Sequence, residues 1–81
     1  MHPDWFAHAL SLQHAERHAD ALRLLQRAAQ EAPTNPDAAY ALGWTLQSLG
    51  RWEQAAQAYL KAAHLRPGFA NALNNAGVCL H

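Results

Sequence analysis

Apolar and small residues along the chain recur at helical spacing, and proline, glycine and asparagine interrupt them at a few sharp points. Leu22, Leu25, Ala28 and Ala29 share one face of a helix expected from about His18 to Ala32, because residues three and four apart stack on one side of a helix. Pro33-Thr34-Asn35-Pro36 ends that helix, and Pro36 with Asp37 can open the next, which runs to about Leu49. Gly50 follows it, the residue best able to adopt the left-handed conformation after a helix. A further helix is expected over Trp52 to Leu65, closed by Arg66-Pro67-Gly68, and another from Ala70 to the C-terminus. Before all of these, Pro3 to Ala15 reads as a first helix, with Pro3 in the first turn, where its missing N–H costs nothing.

The pattern also repeats itself at a distance. Residues 36–67 can be laid over residues 2–33 with an offset of 34, and the same offset continues into residues 70–81. It aligns Leu12, Leu46 and Leu80; Ala9, Gly43 and Gly77; Ala21 and Ala55; Ala28 and Ala62; Arg17 and Arg51; Pro33 and Pro67. Small residues recur where two helices must approach closely, and a proline recurs where a unit must stop. A fixed period of this length marks an array of helical repeats.

With these residues the chain resembles the tetratricopeptide repeat family, whose 34-residue helix-turn-helix unit carries a W-x-x-L-G-x-x-Y, A-x-x-x-F, P pattern. The middle unit matches through Ala39, Leu42, Gly43, Leu46, Ala55, Tyr59, Ala62 and Pro67. The first keeps Trp5, Ala9, Leu12, Ala21, Leu25, Ala28 and Pro33, but has His8 in a leucine slot and Glu16 where a turn glycine is common. The third shows Leu73, Ala76, Gly77 and Leu80. The resemblance implies an all-α, right-handed helical-repeat solenoid in a single domain over residues 1–81. Repeat 1 covers about 2–35, repeat 2 about 36–69, and a partial repeat 3 about 70–81.

The resemblance also implies a function: the first helix of each unit lines a concave face that holds a peptide or partner helix. Carried over by register, that groove presents Phe6, Leu10 and Gln13, then Tyr40, Trp44 and Gln47, then Asn74, Val78 and His81. Tyr40 and Trp44 are the natural anchors, whereas Trp5 and Trp52 are expected in the core. No lysine or arginine lies on these first helices; those residues are Arg17, Arg23, Arg27, Arg51, Lys61 and Arg66, in turns and second helices. A groove without cations cannot grip a carboxylate by charge, which excludes a clamp for an acidic C-terminus. The expected ligand is apolar or amide-rich.

Composition narrows the classes further. Six basic and six acidic residues cancel, and without a basic stripe neither nucleic acid nor a membrane surface is an expected partner. The one cysteine, Cys79, has no intramolecular partner, no run of 18 apolar residues occurs, and a cytoplasmic location is expected. Among the six histidines, His14 and His18 lie four apart but across a turn, and no third ligand follows at a metal-site spacing. His8 would loosen the first unit on protonation if it were buried. Ser11, Thr45 and Cys79 share one repeat position, which reads as a demand for a small side chain rather than a nucleophile. No phosphate loop or carboxylate pair is present, so neither catalysis nor a cofactor is expected.

The third unit breaks off after its first helix, leaving Leu73, Ala76, Gly77 and Leu80 without the second helix that would cover them. The chain accordingly reads as the N-terminal fragment of a larger protein. The alternative function is homo-oligomerisation, or a structural spacer, with Leu73 and Leu80 as the self-association surface and a homodimer as the product.

Overall fold

The computed structural model describes His8, Ser11, Leu12, Ala15 and residues 17–80, with the backbone alone at Leu80. The described residues form four consecutive helices and no strand: α1 (His18–Glu31), α2 (Pro36–Ser48), α3 (Trp52–Leu65) and α4 (Ala70–Leu80). His8, Ser11 and Leu12 are helical as well. The rest of the helix expected over Pro3 to Ala15 lies outside the described residues.

Local chemistry sets the boundaries. At the start of α2 the Asn35 side chain accepts a hydrogen bond from the Asp37 backbone N–H at 2.9 Å, and Pro36 occupies the first turn. An amide that would otherwise be orphaned is thereby satisfied, and the fixed φ of proline already suits the helix. At the other end of α2 the Gly50 N–H bonds the Gln47 carbonyl at 3.0 Å and the Arg51 N–H bonds that of Leu46 at 2.9 Å. Gly50 has φ of 76° there, so the left-handed closing turn expected from the sequence is formed. Gly68, with φ of 87°, turns the chain again between α3 and α4.

Each helix packs on the next, α1 on α2, α2 on α3 and α3 on α4. The core draws on small residues at helical spacing. Ala55, Ala56, Tyr59 and Ala62 form the buried stripe of α3, Ala39, Gly43 and Leu46 that of α2, and Ala72, Ala76 and Cys79 that of α4. Alanine at these positions lets the helices approach closely, and the Tyr59 ring, fully buried, fills the volume left between them. A β-carbon added at Gly43 would lie 2.9 Å from two carbons of that ring, too close for any side chain to sit there undisturbed. Glycine in this slot of the second unit therefore has a direct packing cause.

Two expectations about burial are corrected, and one condition is answered. Ala76 is 1% exposed, not left open, because it stands with Ala72 and Cys79 on the inner side of α4 against α3. Trp52 is 49% exposed, not a core residue. It falls on the buried stripe of α3, but in the first turn, where the adjoining chain is the Leu49–Arg51 turn rather than a helix. His8 is exposed, so the condition for a protonation-dependent loosening of the first unit is not met.

Candidate protein-binding surface

The residues assigned to the groove separate into two sets. Trp44 is 44% exposed and Val78 57% exposed, and they hold the same slot of successive units, 34 residues apart. Asn74 is exposed beside Val78 on α4. Phe6, Leu10, Gln13 and His81 lie outside the described residues.

Tyr40 and Gln47 are half-buried and engaged internally. The Tyr40 ring stacks on Phe69, with centroids 5.0 Å apart and planes inclined by 26°, and meets Tyr59 at 5.5 Å. The Tyr40 hydroxyl accepts a hydrogen bond from the Asn75 amide at 3.1 Å, which ties α2 to α4. The Tyr59 hydroxyl donates to Oε1 of Gln47 at 2.7 Å. Ring packing and hydrogen bonds together thus hold α2, α3 and α4 at one mutual angle. Burial, with smaller contributions from Cys79 and Tyr40, pushes the Tyr59 phenol well above the usual tyrosine range.

Phe69 plays a part that the repeat pattern did not single out. It lies in the short connection after Gly68, and its ring also carries the Arg66 guanidinium, 4.9 Å above its centroid. Arg66 reaches Asp37 as well, Nη1 to Oδ1 at 3.2 Å and Nη2 to Oδ2 at 3.3 Å, joining the end of α3 to the first turn of α2. The available signal was an aromatic residue immediately after the Pro67-Gly68 breaker.

The electrostatics are those of a neutral surface. Neither α2 nor α4 carries a lysine or arginine, and the sole ionisable carboxylate on them, Asp37, is paired with Arg66. On α1, Asp20 pairs with Arg23 and Arg17, whose hydrogen bonds hold its carboxyl below the usual range, and Arg27 pairs with Glu31. No group of three or more His, Cys, Asp or Glu that could hold a metal occurs among the described residues. Burial raises the Cys79 thiol, which keeps it protonated and a poor nucleophile. No described helix is long and apolar enough to cross a membrane.

Residues 12–74 match the family model described as tetratricopeptide repeat. The chain belongs to the tetratricopeptide repeat family. None of the curated proteins compared with it matches. Tetratricopeptide repeats are in general protein–protein interaction modules, built as non-catalytic scaffolds, and their partners are proteins or peptides. The glycine under a buried aromatic ring at Gly43 and Tyr59 is the packing that this repeat's small and large slots require.

Proposed function

We propose that this tetratricopeptide array binds an extended peptide or a partner helix along the exposed face of α2 and α4, with Trp44 and Val78 as the apolar anchors. The observation that carries this reading is the repeated slot: a large apolar side chain stands half out of the fold at the same position of two successive units. An isolated exposed apolar residue needs no explanation, but a row of them at the repeat spacing is what an interaction surface looks like. Asn74 supplies an amide for hydrogen bonding beside the row, and Gln47 and Tyr40 hold its floor in place. The surface has no cation, so its ligand is apolar or amide-rich rather than acidic.

Selection from a displayed library of random peptides, followed by calorimetric titration of a selected sequence, tests this. Trp44→Ala and Val78→Ala should each weaken binding by about tenfold or more while leaving the thermal melt unchanged. Selected peptides rich in aspartate and glutamate, or binding indifferent to both substitutions, would defeat the proposal.

Self-association through α4 is the second reading, favoured by the 52% exposure of Leu73. Light scattering over a concentration series separates it from a monomeric module. A mass that doubles with concentration and returns to one chain in Leu73→Lys supports it.

A further inference from the structure

A second groove lies away from the row of Trp44 and Val78. Gln26, Ala29 and Gln30 of α1, with Pro33 just beyond it, form one wall, Lys61 of α3 stands on the other, and Leu42 of α2 lies between them. Leu42 is half-buried and packed on the core, so it gives the groove an aliphatic floor. It stands two residues before Trp44, which places it about 200° round α2 and on a different face. The polar side chains at the edges are exposed: Gln26, Gln30 and Lys61 make no hydrogen bond or ion pair with any described residue. The repeat supplies the comparison for the lysine. Its counterpart 34 residues earlier is Arg27, which pairs at 3.2 Å with Glu31 one turn on, whereas one turn on from Lys61 stands Leu65. Arg27 and Glu31 line a separate depression with Leu24 and Ala28, so the groove itself has a positive charge and no carboxylate.

We infer that this groove binds an extended segment of a partner protein that carries one aspartate or glutamate beside an apolar residue. The spacing of the amides selects an extended chain. Residues four apart on a helix, as Gln26 and Gln30 are, stand about 6 Å apart along its axis, close to the roughly 6.6 Å between alternate residues of an extended peptide. Each amide offers both a donor and an acceptor, so each can pair with the N–H and C=O of a peptide backbone. A helical occupant has already bonded those groups internally and would leave both glutamines without a partner. The lysine sets the charge: a carboxylate at Lys61 gains a charge-assisted hydrogen bond, and a cation there is repelled. The apolar neighbour of that carboxylate rests on Leu42 and Ala29. A second copy of the chain does not fit this description, because the described carboxylates, Asp20, Glu31, Asp37 and Glu53, all stand on helices.

The probe is a displayed library of random heptapeptides, selected against the whole chain carrying Trp44→Ala and Val78→Ala so that the first surface is disabled. Selected sequences should share one aspartate or glutamate next to an apolar residue. One of them, synthesised with blocked termini, should bind one to one in a calorimetric titration. Lys61→Glu should weaken that binding by about tenfold or more, and a peptide with lysine in place of its acid should recover the loss on Lys61→Glu. Gln26→Ala combined with Gln30→Ala should weaken binding by a similar factor. All three positions are exposed, so the thermal melts should coincide with that of the parent chain. Selection of no peptide, or of peptides without a shared acid, overturns the inference. So does binding indifferent to Lys61→Glu, a loss that the charge-swapped peptide does not restore, or a peptide whose circular dichroism turns helical on binding. Because the parent chain already lacks both anchors of the first surface, failure here and failure of that surface are read separately.

Discussion

Helices α2 and α4 are the same element of the repeat in two situations. Neither carries a lysine or arginine, both are rich in small residues and packed on α3, and both have glycine in the same slot. On α2 the glycine is covered by an aromatic ring, and its neighbours Ala39 and Leu46 are buried with it. On α4 the glycine faces open space, and Leu73 is half out of the fold. What the pair teaches is that a repeat residue has no fixed energetic value. The side chain prescribed by the register stabilises the fold only where a neighbouring helix supplies the other half of the contact, and elsewhere the same residue is available to another molecule.

The severest test of this contrast removes the ring. Tyr59→Ala empties the volume shared by α2, α3 and α4 and leaves Gln47 without its hydroxyl partner, so a loss of about 3–5 kcal/mol is expected. Native stability is typically about 5–15 kcal/mol, so that is enough to unfold much of a chain this small at ordinary temperature. Far-ultraviolet circular dichroism during a urea titration reads it directly. Next in size is Gly43→Ala. Its new methyl would fall 2.9 Å from the Tyr59 ring, and overpacking of about 1–3 kcal/mol outweighs the helix-propensity gain of about 1 kcal/mol. A midpoint higher than that of the original protein would show that the ring yields freely and that the close approach is not what selects glycine.

How far the sequence revealed this depends on the range of the interaction that decides each feature. Helix limits at Pro36, Gly50 and Gly68 were legible because a proline, a capping asparagine or a left-handed glycine acts on the nearest turn. The close approach of helices at the small slots was legible through the period, although not that the Tyr59 ring fills it at Gly43. Trp52 was misjudged because periodicity places a residue on a face without saying whether the end of that face is covered. The candidate surface was legible only in part for a related reason. Tyr40 and Trp44 stand four apart on one helix, yet one is held by Phe69, Tyr59 and Asn75 and the other is exposed. The contacts that distinguish them come from residues 19–35 positions away, beyond the reach of local pattern.

A smaller effect is expected from removing the Tyr59 hydroxyl alone. Tyr59→Phe keeps the ring on Gly43 and deletes the hydrogen bond to Gln47, for a loss of about 1 kcal/mol at neutral pH. The same substitution should alter the alkaline limb of the stability curve. Burial raises the phenol pKa in the folded chain, so the unfolded chain releases this proton first as pH increases. The contribution is therefore intact below the ordinary tyrosine value of about 10 and is lost progressively above it. Melts of the original protein should fall more steeply above pH 10 than those of Tyr59→Phe. Coincident slopes would mean that the phenol is accessible to ionisation in the folded state.

The smallest changes lie on α4, and the first of them has the opposite sign from its counterpart on α2. Gly77→Ala adds a β-carbon in open space within a helix, so only the backbone entropy and propensity terms respond, and stability should rise by about 0.5–1 kcal/mol. Leu73→Ala should change stability by less than about 0.5 kcal/mol, since half of that side chain already meets water. Both are measured as denaturation midpoints at several protein concentrations. If Gly77→Ala lowers the midpoint, or if Leu73→Ala lowers it by an amount that grows with protein concentration, this face of α4 is already covered in the free protein by another copy. If Gly77→Ala stabilises at every concentration, glycine at this position is a local cost with no close contact to offset it, the reverse of its counterpart Gly43 under the Tyr59 ring.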